Sequence, residues 1–167
     1  MALKMANNVK LRSIGLPHKD IRSFDVADAD LLAQDAANPL TDGEWVAFSA
    51  VQDATYGKLV RALSTGQGDS FVGQPYLVVA GAGRTDVMTT RKIDVYFSES
   101  GLEFDTLLFE GQLKVNDPLT VGTITVDGLT KAGLKLGVVG TDKIAAYVVA
   151  DTSMTGTDFI RARLSVA

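Results

Sequence analysis

The feature that most limits what this chain can fold into is a rhythm of short runs of alternating apolar and polar residues, closed by turns rich in glycine, aspartate or asparagine. Alternation with period two marks a half-buried strand, because successive side chains in a strand point to opposite faces. Ile21-Arg22-Ser23-Phe24-Asp25-Val26 opens the series, and Glu44 to Phe48 follows the turn Thr41-Asp42-Gly43. Lys92 to Phe97 and Leu102 to Phe109 flank Glu99-Ser100-Gly101. Leu119 to Val126 lies between the turns Asn116-Asp117-Pro118 and Asp127-Gly128. Leu129 to Ala132, Leu134 to Val139, Ile144 to Val149 and Phe159 to Val166 complete the set, with Gly140-Thr141-Asp142 as a further turn. Tyr76-Leu77-Val78-Val79 is apolar throughout, which predicts a strand in the middle of a sheet. Strand centres recur every ~8–12 residues, the spacing of a sandwich or barrel. They do not alternate with long helices, so a doubly wound sheet is not expected.

Helical signals are few. Asp28 to Gln34 predicts one or two turns, ended by Asn38-Pro39, since a residue before proline is pushed out of the α region. Val51, Ala54, Tyr56, Leu59, Val60 and Leu63 are at roughly helical spacing within Ala50 to Leu63. Gly57 weakens that helix by about 1 kcal/mol relative to alanine, and in an all-β setting the same residues make two short strands. Ser64 to Pro75, rich in Gly, Ser and Gln, reads as a loop. The expected fold class is all-β, mainly β with one or two short helices. The expected architecture is a β-sandwich or β-barrel over residues 21–167, preceded by an extended N-terminal arm, residues 1–20, with a strand around Val9 to Ile14.

Composition narrows the function classes. A chain of 167 residues with 46% apolar and 22% charged residues can build one core without staples. The absence of cysteine excludes disulfides, a thiolate nucleophile and cysteine-ligated zinc. The formal charge of −4 argues against nucleic acid as the main partner. Against that acidic whole, Lys4, Lys10, Arg12, His18, Lys19 and Arg22 make the N-terminal stretch basic. It is read either as a solvated arm or as an arm that docks on an acidic neighbour. No apolar run approaches the ~20 residues of a membrane span, and the first fifteen residues lack the apolar core of a signal peptide. The expectation is a protein made and used in a cytoplasm, or assembled there into something larger.

The chain offers little chemistry. Its single histidine, His18, lies in a basic loop; there is no Gly-x-Ser-x-Gly elbow, so the α/β-hydrolase arrangement has no nucleophile, and any serine triad has to recruit His18 from the N-terminal segment. Gly81-Ala82-Gly83-Arg84-Thr85-Asp86 follows an apolar strand as a dinucleotide loop would, but Asp86 stands where the third glycine belongs and no amphipathic helix follows. Asp25, Asp28, Asp30 and Asp35 lack the glycine and terminal glutamate of an EF-hand; acids at a helix N-terminus account for them more simply. Glu99, Glu103, Asp105 and Glu110 surround a turn and a strand, and two carboxylates at about 5–9.5 Å can hydrolyse a glycoside. Glu103 and Asp105 share one strand face, opposite Leu102, Phe104 and Thr106, which reads as the wet side of a sheet. Phe24, Trp45, Phe48 and Phe104 occupy inward positions and read as core. No catalytic, cofactor-binding or metal residues are therefore assigned, no cofactor is expected, and the chain is not expected to be an enzyme.

What remains is a binding module, and here the residues resemble a family. Asn38-Pro39-Leu40-Thr41-Asp42-Gly43-Glu44-Trp45-Val46 resembles the opening of many small phage virion proteins. Glu103-Phe104-Asp105-Thr106, then Gly111 to Val121, Gly128-Leu129-Thr130, Leu136-Gly137-Val138-Val139-Gly140 and the closing Ile160-Arg161-Ala162-Arg163-Leu164 follow in the order of bacteriophage capsid decoration (cement, head-stabilising) proteins. The resemblance runs from about Asn38 to the end. It implies a structural protein of the virion capsid surface that bridges neighbouring major capsid protein subunits, often as a homo-oligomer, with a trimer favoured. It implies assembly in the host cytoplasm, while the acidic charge and the lack of a membrane-length apolar run give the expectation of no nucleic acid or membrane partner. A tail-tube or head-completion protein is the near alternative, and a carbohydrate-binding or adhesion module the alternative from another class. The arm is expected to add a strand to a capsid subunit through main-chain hydrogen bonds.

Overall fold

The computed structural model describes residues 8–12, 21–25, 38, 40–49, 59–63, 71–80, 92–96 and 101–165. Eleven strands are described: β1 (Val9–Leu11), β2 (Ile21–Asp25), β3 (Trp45–Ser49), β4 (Leu59–Arg61), β5 (Phe71–Ala80), β6 (Lys92–Tyr96), β7 (Glu103–Thr106), β8 (Pro118–Val126), β9 (Leu129–Leu136), β10 (Ile144–Ala150) and β11 (Ile160–Leu164). One short helix, α1 (Thr152–Thr155), sits between β10 and β11. Its N-cap is Asp151, whose carboxylate accepts from the Ser153 hydroxyl and the Met154 N–H, and these two bonds hold its pKa below the ordinary aspartate value.

The strands form two antiparallel sheets, one in the order β1-β7-β11-β10-β8-β9 and the other β2-β6-β5-β3-β4. The all-β, sandwich-like expectation holds. Inward side chains of both sheets meet in one core: Trp45, Ala47, Leu77 and Tyr96 from the five-stranded sheet; Phe104, Leu119, Leu134, Val148, Ile160 and Ala162 from the six-stranded one. Trp45 and Phe104 meet edge-to-face across it, with centroids 6.0 Å apart. The five-stranded sheet is apolar on its other side too, where Leu40, Val46, Leu59, Val78 and Val95 are buried together. Burial on both faces is why Tyr76 to Val79 reads as continuously apolar, and β5 is the middle strand of its sheet.

The six-stranded sheet curls until its two edges share supports. Beyond β7 the chain crosses to the far edge: the Leu134 N–H donates to the Leu108 carbonyl and the Glu110 N–H to the Leu134 carbonyl, so Phe109 bridges β9 in parallel. Gly133 makes this approach possible, since a Cβ there would lie 2.2 Å from Ile124 Cδ1 and 2.9 Å from the Leu108 carbonyl oxygen. The hairpin β8–β9 turns through Asp127 (φ 50°) and Gly128 (φ 76°), two successive left-handed residues that match a tight antiparallel connection.

Several expectations need correction. Ser64 to Pro75 was expected as a loop, but Phe71 to Pro75 belong to β5. Proline is tolerated there because the register with β3 slips: Gly73, Gln74 and Pro75 stand opposite Ala47 alone, in a bulge where a missing N–H breaks no ladder. Leu59 to Arg61, the end of the helix expected over Ala50 to Leu63, is strand, as the two-strand alternative has it; residues 50–58 lie outside the described residues. Leu129 to Ala132 and Leu134 to Val139 are one strand through Gly133, ending at Leu136. The helix expected at Asp28 to Gln34 lies outside the described residues, and α1 has no counterpart among the helices read from sequence. β1 lies where a strand is expected around Val9 to Ile14, and it pairs with β7 as an edge strand of the six-stranded sheet.

Candidate functional site

Two charged constellations stand out among the described residues, one buried and one on a sheet face. The buried one is centred on Glu44, immediately before β3. Its carboxylate accepts from the Thr41 N–H (2.6 Å), Arg61 Nε (2.9 Å), the Ala132 N–H (3.2 Å) and Lys131 Nζ (3.4 Å), with the three charged side chains fully buried. Arg61 also donates to the Asn38 carbonyl, and Asn38 Nδ2 to the Thr130 carbonyl. Burial pushes the Lys131 pKa below the ordinary lysine value; Arg61 adds to this and Glu44 opposes it.

Two residues earlier, Asp42 holds the opposite edge of the same sheet. Its carboxylate accepts from the Asn8 N–H and Asn8 Nδ2, both at 3.0 Å, and from the Val9 N–H at 3.4 Å. Residues 38–44 therefore hold β9 through Glu44 and β1 through Asp42. This is structural chemistry: each charged group is paired within the architecture it joins.

The sheet face lies across β1, β7 and β11. Lys10 stands opposite Asp105, which stands opposite Arg161; Arg163 stands opposite Glu103. Asp105 accepts from Arg12 Nε and Arg161 Nε, each at 2.8 Å, and Arg163 pairs with Glu103. The Asp105 bond raises the Arg161 pKa still further. Lys10 Nζ lies 4.7 Å from the centroid of the Phe159 ring. Four cations thus surround two carboxylates, an excess of two positive charges, and the formal −4 of the chain leaves −6 for everything else. Beside this face, Tyr147 and Arg163 are cross-strand partners, and they line a shallow depression of about 440 Å³ with Val115, Asn116 and Ser165.

The sequence candidates fall as follows. Glu103 and Asp105 share the outward face, as alternation predicts, but Asp105 is not wet: two guanidiniums cover it, leaving its side chain 5% exposed. Glu110 lies past the end of β7, where its N–H joins β9. Asp25 ends β2. His18, Gly81 to Asp86, Asp28, Asp30, Asp35 and Glu99 lie outside the described residues. Trp45, Phe48 and Phe104 pack in the two apolar clusters. Among the described residues no group of three or more metal-ligating side chains converges, and no helix is long and apolar enough to cross a membrane. Reading the sequence missed both the Glu44 network and the Asp42 clamp; the available signal was that both acids sit in a turn running directly into the apolar β3.

The fold and face define a class, a two-sheet antiparallel β protein with a charged ladder on one sheet. Comparison with protein-family models, with curated proteins and with solved structures finds no match to this chain.

Proposed function

We propose that this chain is a non-enzymatic bacteriophage virion protein that binds the outer surface of the head and bridges and stabilises major capsid protein subunits. The observation that carries the reading is the placement of the basic N-terminal stretch. Lys10 and Arg12 are annealed into the sheet by the Asp42 clamp and combine with Arg161 and Arg163 into one preformed face. A rigid face of excess charge on an oppositely charged molecule favours fast, oriented docking. Many copies, each making a modest contact, then stabilise a shell by multivalency. Residues 9–11 pair with β7 on one side within the chain, and β1 is the edge strand of its sheet, the position from which strand addition proceeds.

The test is co-sedimentation with a panel of empty phage heads, with the mass of the free protein measured alongside. Saturable binding in a fixed ratio to capsid subunits is expected, with a trimer in solution. No binding to any head together with a stable ring in solution favours a tail-tube or head-completion protein. A carbohydrate-binding module has one observation in its favour, the Tyr147 ring beside Arg163 and Asn116 in a depression; a glycan-dependent rise in melting temperature supports that reading instead.

A further inference from the structure

We infer that the outer face of β1, β7 and β11 docks a carboxylate-bearing protein surface, through two stripes of cations held apart by a stripe of acids. The inference deepens the binding-module reading and rests on it. Lys10 on β1 and Arg12 just past its end form one stripe, and Arg161 and Arg163 on β11 form the other. Glu103 and Asp105 lie between them on β7. Strands one neighbour apart are spaced ~4.8 Å, so the cation stripes run about 10 Å apart.

The geometry selects between two anionic partners. A DNA duplex holds its phosphates on a stiff rod that cannot straddle a row of acids, and here it meets two carboxylates in the middle of the face and a remainder of formal charge −6 around it. A protein surface presents discrete carboxylates, which can meet the two cation stripes and leave the central acids opposite neutral or basic groups. The acids give register: sliding the partner by one strand sets like charges against each other. Arg12 and Arg163 keep 47% and 56% of their side-chain surface exposed while paired, so both can make a second contact.

The test is fluorescence anisotropy of labelled poly-L-glutamate and of a labelled duplex DNA oligonucleotide, titrated with the protein at low and high salt. The variants are K10Q/R12Q and R163Q, with K114Q/K143Q as an exposed-lysine control outside the face. Poly-L-glutamate binding is expected to weaken by about tenfold in K10Q/R12Q and severalfold in R163Q, to change little in the control, and to fade with salt. Equal binding by all variants, no binding of poly-L-glutamate, or tighter binding of DNA overturns the inference. Head co-sedimentation separates the two levels. Heads bound equally by wild type and K10Q/R12Q sink the face and leave the decoration reading; poly-L-glutamate bound through the face while no head binds does the reverse.

Discussion

At the scale of the residue, the fold depends on a few charges placed where charges are expensive. Removing one partner of a buried ion pair leaves the other uncompensated, at about 3–5 kcal/mol. Glu44→Gln leaves Arg61 and Lys131 buried around a neutral amide, and a loss of that size is expected in urea unfolding followed by the fluorescence of Trp45, the chain's one tryptophan. Lys131→Met is expected to shift stability by less than about 1.5 kcal/mol, because volume is conserved and Arg61 still faces Glu44. The pH dependence has a definite sign. The Lys131 pKa is lowered on folding, so between its folded value and the ordinary lysine value the unfolded chain binds more protons, and the group's contribution to stability rises with pH. The melting temperature of the wild type should therefore gain on that of Lys131→Met as pH is raised from neutral toward 10.5, the ordinary lysine value; a widening deficit contradicts this. None of it was legible residue by residue. A lone acid before Trp45, or a lysine between Thr130 and Ala132, looks like a solvated charge until the partner strand is known.

At the scale of the element, alternation carried most of what could be read. β2, β6, β8 and β10 lie within a residue or so of their expected bounds, because turn residues and period two agree there. The failures share a cause: a local signal overruled by a neighbour in space. Pro75 reads as loop, yet a bulge opposite Ala47 accommodates it. Gly133 divides one strand into two on paper, yet it is the position where Leu108 crosses β9. Gly133→Ala is expected to destabilise by about 1–3 kcal/mol through overpacking against Ile124, measured by urea unfolding. β1 is short, and Asp42 is its main polar anchor. Asp42→Ala should cost about 2 kcal/mol and speed hydrogen exchange at residues 9–11 well before global unfolding. Unchanged exchange there would mean that pairing with β7 alone holds the strand.

At the scale of the whole molecule, residues 38–44 are the fastening. Glu44 and Asp42 hold the two opposite edges of the six-stranded sheet, and the crossing at Leu108 and Glu110 closes it on the same side. That closure sets β1 against β7 and so assembles the charged face from residues about 150 positions apart in sequence. Fold class was readable because it rests on local periodicity. The face was not, because it depends on which strands become neighbours: taken alone, the basic N-terminal stretch reads as a solvated or docking arm and Phe159 to Val166 as a closing strand. The account is tested most directly by cryo-electron microscopy of empty phage heads saturated with the protein. It predicts ordered copies at a fixed ratio to the capsid subunits, with β1, β7 and β11 turned toward acidic residues of the shell. Ordered copies that turn this sheet to solvent and touch the shell through the exposed Val138–Val139 turn, or heads left bare at saturating protein, would contradict it.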